Sequence, residues 1–102
     1  MTKFVYAYVG GAMAATPEEQ QAQMQKWEAW LGALGAAVTD VGNPFGASAT
    51  VKDGGSVSGG TSRLGGYSII EAASLDDATA KATGCPVLES GGSVEVYEAL
   101  AM

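Results

Sequence analysis

The clearest structural signal in this sequence comes from residues 64–97, LGGYSIIEAASLDDATAKATGCPVLESGGSVEVY. The run Tyr67–Ala72 is rich in apolar residues and predicts a strand. Ser74 stands before two aspartates and predicts the N-cap of a helix, which Gly84 ends. A Cys-Pro turn then leads to a strand over residues 93–99, where apolar and polar side chains alternate. The segment therefore predicts one β-α-β unit.

The first third of the chain predicts the same order of elements. Residues 3–9, KFVYAYV, are apolar on both alternating faces, which predicts a central strand covered on both sides. Thr16-Pro17-Glu18-Glu19 predicts a capped helix start, Gly35 predicts its end, and residues 37–42 predict a short strand. The apolar face of this helix is expected to consist of Met24, Trp27, Leu31 and Leu34, with Trp30 beside them.

Between the two units, Asn43-Pro44 predicts a bend and Asp53-Gly54 predicts the turn of a small hairpin at the sheet edge. Residues 58–63 have the composition of a mobile loop. The whole pattern predicts one α+β domain over residues 1–102, a ferredoxin-like split β-α-β sheet with an inserted hairpin. Right-handed crossovers place both helices on one sheet face. A second copy is expected to cover the other face, giving a dimeric α/β barrel around a cavity.

Composition excludes several classes of function. A net charge of −6 with only five scattered Lys and Arg residues argues against nucleic-acid binding. No apolar run approaches the length of a membrane span, and the single cysteine cannot form an intramolecular disulfide, so we expect a cytoplasmic protein. The absence of histidine excludes Ser-His-Asp and Cys-His catalysis and histidine-based metal sites. We expect no metal and no other cofactor.

Three segments carry a family resemblance: LGGYSIIE at residues 64–71, the Ser-Leu-Asp-Asp-Ala helix start, and CPVLESGGSVEV at residues 85–96. They resemble the YCII-related proteins, particularly the branch with an Asp-Gly-Pro-Phe hairpin signature (DGPF-type). The resemblance extends to the opening strand, the Pro-Glu-Glu helix start and the bend at residues 42–44. It implies a dimeric α/β barrel.

The resemblance implies less about activity. Some members of the wider group are thought to use a His and Asp pair for lyase or dehydrochlorinase-like chemistry. The matching positions in this chain lie near Glu19 and Ala33, so neither residue is kept. A shortened loop at residues 58–61 stands where the Asp-Gly-Pro-Phe signature is expected. The family's histidine-dependent chemistry therefore does not carry over to this chain.

Glu95 is the candidate catalytic residue. It lies in mid-strand between two valines, where a carboxylate is costly unless it faces water, a partner or a cavity. Tyr97 shares its face, and the strand pattern places Tyr67 and Glu71 on that face as candidate ligand-binding residues. A carboxylate among tyrosines in an apolar cup suits a general base or a ligand-binding group. The alternative is a carboxylate that pairs with Lys or Arg across the dimer, or one that faces water. Glu71 and Glu95 would form an acid–base pair only if their strands were neighbours.

Three further residues are candidate ligand-binding groups. Tyr6 and Tyr8 would line the cavity, the alternative being core packing with a hydrogen-bonded hydroxyl. Arg63 would clamp an anionic ligand from its loop, the alternative being a solvated surface side chain. Cys85 follows a helix C-terminus, whose dipole disfavours a thiolate, and is expected to be a buried structural residue.

Three hypotheses about function follow. In the first, the homodimer binds a small aromatic or quinone-like molecule, and Glu95 catalyses cofactor-free proton transfer or elimination with help from a tyrosine. In the second, the dimer is a non-catalytic binding or accessory module. In the third, it is a structural dimer whose pocket is filled by its own side chains.

Overall fold

A computed structural model describes residues 1–11, 15–59 and 63–101. Its elements in chain order are β1 (Thr2–Val9), α1 (Pro17–Leu34), β2 (Val38–Asp40), β3 (Ala49–Lys52), β4 (Gly55–Ser58), β5 (Leu64–Ala72), α2 (Leu75–Ala82) and β6 (Ser93–Glu98). Short 3₁₀ turns cover Gly35–Ala37 and Pro86–Ser90. None of the helices in the described ranges is long and apolar enough to cross a membrane.

The main sheet has four strands in the order β2-β5-β1-β6, and every neighbouring pair is antiparallel. β1 and β2 both run antiparallel to β5, so they are parallel to each other with β5 between them. This is the split β-α-β arrangement of the ferredoxin-like fold. The α+β class and the central position of β1 are thus confirmed.

Both helices begin at the residues that the sequence indicates. The Glu19 amide donates to Thr16 Oγ1 at 3.1 Å, and the Asp77 amide donates to Ser74 Oγ at 3.1 Å. Each N3 carboxylate also reaches back along the chain, where Glu19 Oε2 accepts from the amide of Ala15 at 2.9 Å. That amide lies one residue before the N-cap, whereas a standard capping box uses the N-cap amide itself. Local side-chain chemistry therefore defines both helix starts.

Aromatic side chains hold both helices against one face of the sheet. The Tyr6 ring stacks on Trp30 of α1 with ring centroids 5.9 Å apart, and its hydroxyl donates to the carbonyl of Ala78 in α2. Trp30 Nε1 in turn donates to the carbonyl of Lys81 at 3.1 Å. Because one tyrosine contacts both helices, the expectation that they share a face is confirmed.

One predicted helix-face residue lies in solvent instead. Met24 is 62% exposed, whereas Trp30 is the buried residue of α1. Trp27 and Trp30, whose ring centroids are 5.7 Å apart, both contact the Tyr8 ring of β1. Met24 lies a turn closer to the helix start than Trp27, beyond this contact.

The segment after β2 stays beside β5 instead of bending away at Asn43-Pro44. The Tyr67 amide donates to the carbonyl of Asn43 at 3.3 Å, and the Phe45 amide donates to the carbonyl of Gly65 at 2.9 Å. Gly42 makes this path possible, since it has φ +75° and a Cβ there would lie 1.7 Å from the Tyr67 carbonyl oxygen. The predicted bend is therefore wrong.

The predicted hairpin is present, but it is not part of the main sheet. β3 and β4 pair only with each other in a separate two-stranded sheet among the described residues, in register from Ala49 opposite Ser58 to Lys52 opposite Gly55. The predicted mobile loop over 58–63 falls largely on residues 60–62, which lie outside the described ranges.

Candidate functional site

Among the described residues, no second layer of helices or strands packs against the sheet face opposite the helices. Side chains alternate along a strand. Tyr6 and Tyr8 point towards the helices, so the residues that alternate with them, and their partners on the neighbouring strands, point to this second face. We call it the open face. Its members are Lys3, Val5, Ala7 and Val9 of β1, Tyr67, Ile69 and Glu71 of β5, and Glu95 and Tyr97 of β6.

The strand register arranges these residues in rows across the sheet. Ala7 lies between Tyr67 and Glu95. In the next row, Val5 lies between Ile69 and Tyr97. Apolar side chains therefore occupy the centre of the open face, and polar groups lie on its two flanking strands. The predicted common face of Tyr67, Glu71, Glu95 and Tyr97 is confirmed.

Glu95 and Tyr97 form a hydrogen-bonded pair on β6. Tyr97 Oη donates to Glu95 Oε1 at 2.5 Å, a short distance typical of a hydroxyl bonded to a carboxylate. This hydrogen bond, together with the negative charge of Glu95, raises the pKa of Tyr97. Tyr97 consequently remains a protonated donor at neutral pH, and the carboxylate is the acceptor group of the pair.

Glu71 does not approach Glu95. It lies opposite Lys3, whereas Glu95 lies opposite Ala7, and β1 separates their two strands. Two strand spacings across the sheet and four residues along it put their Cα atoms about 16 Å apart. An acid–base pair of these carboxylates within one chain is therefore excluded.

Phe45 extends the open face next to Tyr67. The two rings stack with centroids 5.7 Å apart and an interplanar angle of 20°, and Phe45 remains 47% exposed. Nothing in the sequence around Asn43-Pro44 indicates this contact, because it depends on the segment running beside β5. Phe45 is thus a site residue that the sequence interpretation missed.

Tyr6 and Tyr8 lie on the opposite face of the sheet, beneath the helices. The Tyr8 hydroxyl donates to Ser68 Oγ at 2.7 Å, and its ring meets Trp27 edge to face at 4.8 Å. Burial, reinforced by the charges of Asp77 and Cys85, raises the pKa of Tyr6 to about 12. The structure therefore separates these two tyrosines from the other candidate residues, and their hydroxyls already have partners inside the chain.

Arg63 lies at one end of the sheet and not over its centre. Its carbonyl oxygen accepts from the Gly10 amide at 2.9 Å, just beyond the last residue of β1. The side chain is exposed, and its guanidinium is about 4.0 Å from the position that a Cβ on Gly10 would occupy. A role in binding an anion stays a prediction.

Cys85 is a core residue, being 2% exposed at the start of the 3₁₀ turn. Burial raises the pKa of its thiol to about 11, despite a backbone hydrogen bond from Val87 that acts in the opposite direction. A thiol with that pKa is not a nucleophile at neutral pH. Within residues 1–11, 15–59 and 63–101, no three Cys, Asp or Glu side chains are grouped as a metal site requires.

A groove of about 480 Å³ lies elsewhere, between α1 and the segment that follows α2. Trp30, Pro86 and Leu88 line it, and an exposed ion pair of 3.1 Å between Lys26 and Glu89 lies at its rim. None of the candidate residues predicted from the sequence lines this groove.

The model of the YCII-related domain matches residues 2–102. The chain belongs to the YCII-related family. No protein of curated function matches it significantly. Among solved structures, it is similar to the 5-chloro-2-hydroxyhydroquinone dehydrochlorinase TftG from Burkholderia phenoliruptrix AC1100, in complex with 2,5-dihydroxybenzoquinone. The two share 19% identity over 98% of this chain and 95% of that one, with a TM-score of 0.60, which shows a common fold.

The resemblance to YCII-related proteins places a histidine near Glu19 and an aspartate near Ala33. Both positions lie on α1, away from the open face. Glu19 is exposed and its carboxylate caps the helix start. Ala33 is exposed near the helix end and carries no functional group. The only polar pair in direct contact on the described part of the open face is Glu95 with Tyr97.

Proposed function

We propose that two copies of this YCII-related chain pack with their open faces together and bind a small aromatic or quinone-like molecule between them. The observation that carries the proposal is the Glu95–Tyr97 pair, a carboxylate and a hydroxyl on a sheet face that is otherwise apolar at its centre. The single cysteine, which has no intramolecular disulfide partner, supports a place in the cytoplasm.

The dimensions of the chain support a covering partner. Its principal extents are 44 × 43 × 19 Å, and the short one corresponds to one sheet with one layer of helices. The radius of gyration of 14.9 Å exceeds the roughly 13 Å of a compact domain of this length. Val5, Ile69 and Tyr97 therefore lack the second layer that an apolar sheet face requires. A second copy would supply it at a sheet-to-sheet spacing of about 10 Å.

The chemistry of the pair suits a ligand with an acidic hydroxyl. Glu95 would accept a hydrogen bond from that hydroxyl, while the Tyr97 hydroxyl keeps the carboxylate oriented. In a catalytic form, Glu95 takes a proton from the bound molecule, becomes a carboxylic acid, and returns the proton to another atom of the same molecule. The quinone bound in TftG supports the choice of one-ring hydroxylated probes. Its own hydroxyls are vinylogous acids that are ionised at neutral pH, so a dihydroxybenzene, which keeps its hydroxyl protons there, is the probe for donation to Glu95.

A second candidate function is non-catalytic binding as an accessory module. One specific observation favours it: the positions near Glu19 and Ala33 lack the His and Asp pair associated with chemistry in some family members. In that case the open face keeps its affinity for the ligand but does not turn it over.

The first experiment is a thermal-shift and calorimetric titration with simple dihydroxybenzenes at neutral pH, with the ionised 2,5-dihydroxybenzoquinone as the comparison. A ligand at 100 times its Kd adds about 2.7 kcal/mol, which raises the Tm of a domain of this size by roughly 10 °C. The variant is Glu95→Gln and the matched control is Glu98→Gln, on the same strand but in register with the helix-side residue Phe4. We expect Glu95→Gln to lose the shift and Glu98→Gln to keep it.

The outcomes separate the hypotheses. Loss of the thermal shift in Glu95→Gln alone assigns ligand binding to Glu95. If Glu95→Gln still binds the ligand but no longer exchanges a ligand proton for deuterium, catalysis is assigned to Glu95. Binding without any exchange in the wild type favours the accessory module. No ligand shift together with a mere change in stability favours a structural dimer. Sedimentation equilibrium tests the assembly, and a monomer at micromolar concentration contradicts the shared cavity.

A further inference from the structure

We infer that the β3–β4 hairpin is an arm that packs against a second copy of this chain. The hairpin arm consists of residues 48–59, and its two ends meet where the Gly59 amide donates to the carbonyl of Ser48 at 2.7 Å. It adds a second contact surface to the face-to-face dimer and so rests on the proposed function.

The hairpin arm lacks support from its own chain. β3 and β4 pair only with each other, and neither packs extensively against any other element of the described chain. No residue of the hydrophobic core in the described ranges lies between Val38 and Ser68. A two-stranded hairpin without further packing is marginally stable in water. The hairpin arm therefore needs a surface to pack against.

One face of the hairpin arm is suited to such packing. Val51 lies opposite Ser56, and Ala49 shares their face because it stands two residues away along β3. All three side chains are exposed, and Val51 is 80% exposed. Thr50 alternates with them, and its hydroxyl already donates to the carbonyl of Gly59 at 2.8 Å. The exposed face is thus small and partly apolar, so another surface can approach it closely.

The hairpin arm leaves the body of the chain beside the open face. Before the arm, the Phe45 amide donates to the carbonyl of Gly65 at 2.9 Å, and the Phe45 ring stacks on Tyr67. After the arm, Leu64 begins β5. Both ends are therefore held at the start of β5. A second copy that covers the open face lies next to the base of the arm, so the two contact surfaces are continuous.

Charge complementarity favours the second copy as the partner. Residues 41–70, which include the hairpin arm, contain only three charged side chains, Lys52, Asp53 and Arg63, with a net charge of +1. The remaining residues contain three basic and ten acidic side chains, with a net charge of −7. Two such bodies repel each other when they approach. A contact between Lys52 of one copy and a carboxylate of the other offsets part of that repulsion.

The main test removes the hairpin arm and leaves the body of the chain unchanged. Since the Ser48 carbonyl already meets the Gly59 amide, two glycines in place of residues 49–58 are long enough to join them. No core residue is lost, so we expect this deletion variant to keep its cooperative unfolding. Sedimentation equilibrium is expected to give a dimer Kd at least tenfold higher for the deletion variant than for the wild type.

A matched pair of point variants tests the charge contact without shortening the chain. Lys52→Glu and Lys26→Glu change the net charge equally, and Lys26 lies beside the groove in an exposed ion pair with Glu89. We expect Lys52→Glu to raise the dimer Kd at least fivefold more than Lys26→Glu does in low salt. The difference is expected to shrink in about 0.5 M NaCl, where dissolved ions screen the contact.

Chemical cross-linking locates the contact directly. A carbodiimide joins an amine to a carboxylate with loss of water, and Lys52 supplies the only amine of the hairpin arm. Dimers are prepared from a mixture of isotope-labelled and unlabelled wild-type chains, and the cross-linked peptides are identified by mass spectrometry. We expect products that join a Lys52 peptide of one label to an acidic peptide of the other label.

Three results would overturn the inference and leave the shared cavity of the proposed function intact. The first is a deletion variant that forms dimers with the Kd of the wild type. The second is equal weakening by Lys52→Glu and Lys26→Glu, which assigns the effect to net charge alone. The third is a set of Lys52 products that join only peptides of the same label. A wild type that is monomeric at micromolar concentration refutes the dimer of the proposed function together with the inference.

Discussion

The hydrogen-bond relay from Tyr8 through Ser68 to Val41 is expected to show strong energetic coupling. Tyr8 Oη donates to Ser68 Oγ at 2.7 Å, and Ser68 Oγ donates to the carbonyl of Val41 at 2.7 Å. Ser68 is 1% exposed and Tyr8 is 8% exposed. The two hydroxyls thus join β1 to β5 and then to the segment that follows β2, inside the core.

The size of each expected loss of stability depends on which groups lose a hydrogen-bond partner. Tyr8→Phe removes one hydrogen bond, leaves Ser68 bonded to Val41, and is expected to lower the free energy of unfolding by about 1 kcal/mol. Ser68→Ala also leaves the buried Tyr8 hydroxyl without an acceptor, so the expected loss is about 2–3 kcal/mol. For a domain of this length, the Ser68→Ala Tm falls by roughly 10–15 °C.

The double variant Tyr8→Phe/Ser68→Ala gives the decisive comparison. Since no hydroxyl is then left unpaired, its loss of stability is expected to be at least about 1 kcal/mol smaller than the sum of the single losses. The assay is urea unfolding of all four proteins at one fixed concentration, with unchanged m-values as the check that only stability differs. Additive losses, or a Ser68→Ala variant no less stable than Tyr8→Phe, would refute the reasoning.

Two further predictions concern backbone geometry and the buried thiol. Gly42→Ala is expected to lower the free energy of unfolding by more than about 2 kcal/mol, because the new Cβ meets the Tyr67 carbonyl. The control is Gly46→Ala, whose new Cβ has no atom within 4 Å and which is expected to change the free energy by less than about 1 kcal/mol. Urea unfolding measures both. Cys85 is expected to react with a disulfide reagent at pH 8 far more slowly in the native protein than in urea, and equal rates would contradict its burial. Since burial raises the pKa of this thiol from 9.0 to about 11, its contribution to stability is complete below pH 9 and is lost as the pH rises through 11.

Much of the candidate site was predictable from strand alternation. The alternation around Glu95 placed Tyr97 on the same face. Because β1 is apolar on both of its faces, the sequence also indicated that a further layer covers the sheet face opposite the helices. Phe45 was not predictable, since its contact with Tyr67 depends on a segment that only the pairing with β5 holds in place. The separation of Glu71 from Glu95 likewise depends on strand order, which places β1 between their strands.

The sequence by itself determined the features that depend on neighbouring residues. Thr16 and Ser74 cap their helices, Asp53-Gly54 turns the hairpin, and alternation along β1 separates its two faces. These outcomes require only contacts within a few residues, so short-range side-chain and backbone chemistry is sufficient to specify them.

Only the tertiary structure decided which of several apolar or polar residues meet across the fold. Trp30, rather than Met24, became the buried anchor of α1 because it reaches the Tyr6 ring. Tyr6 and Tyr8 became core residues because the helices cover their face, which leaves the Glu95–Tyr97 pair on the other. Such choices depend on packing between elements distant in the chain, where many residues of similar hydrophobicity compete and geometry selects among them.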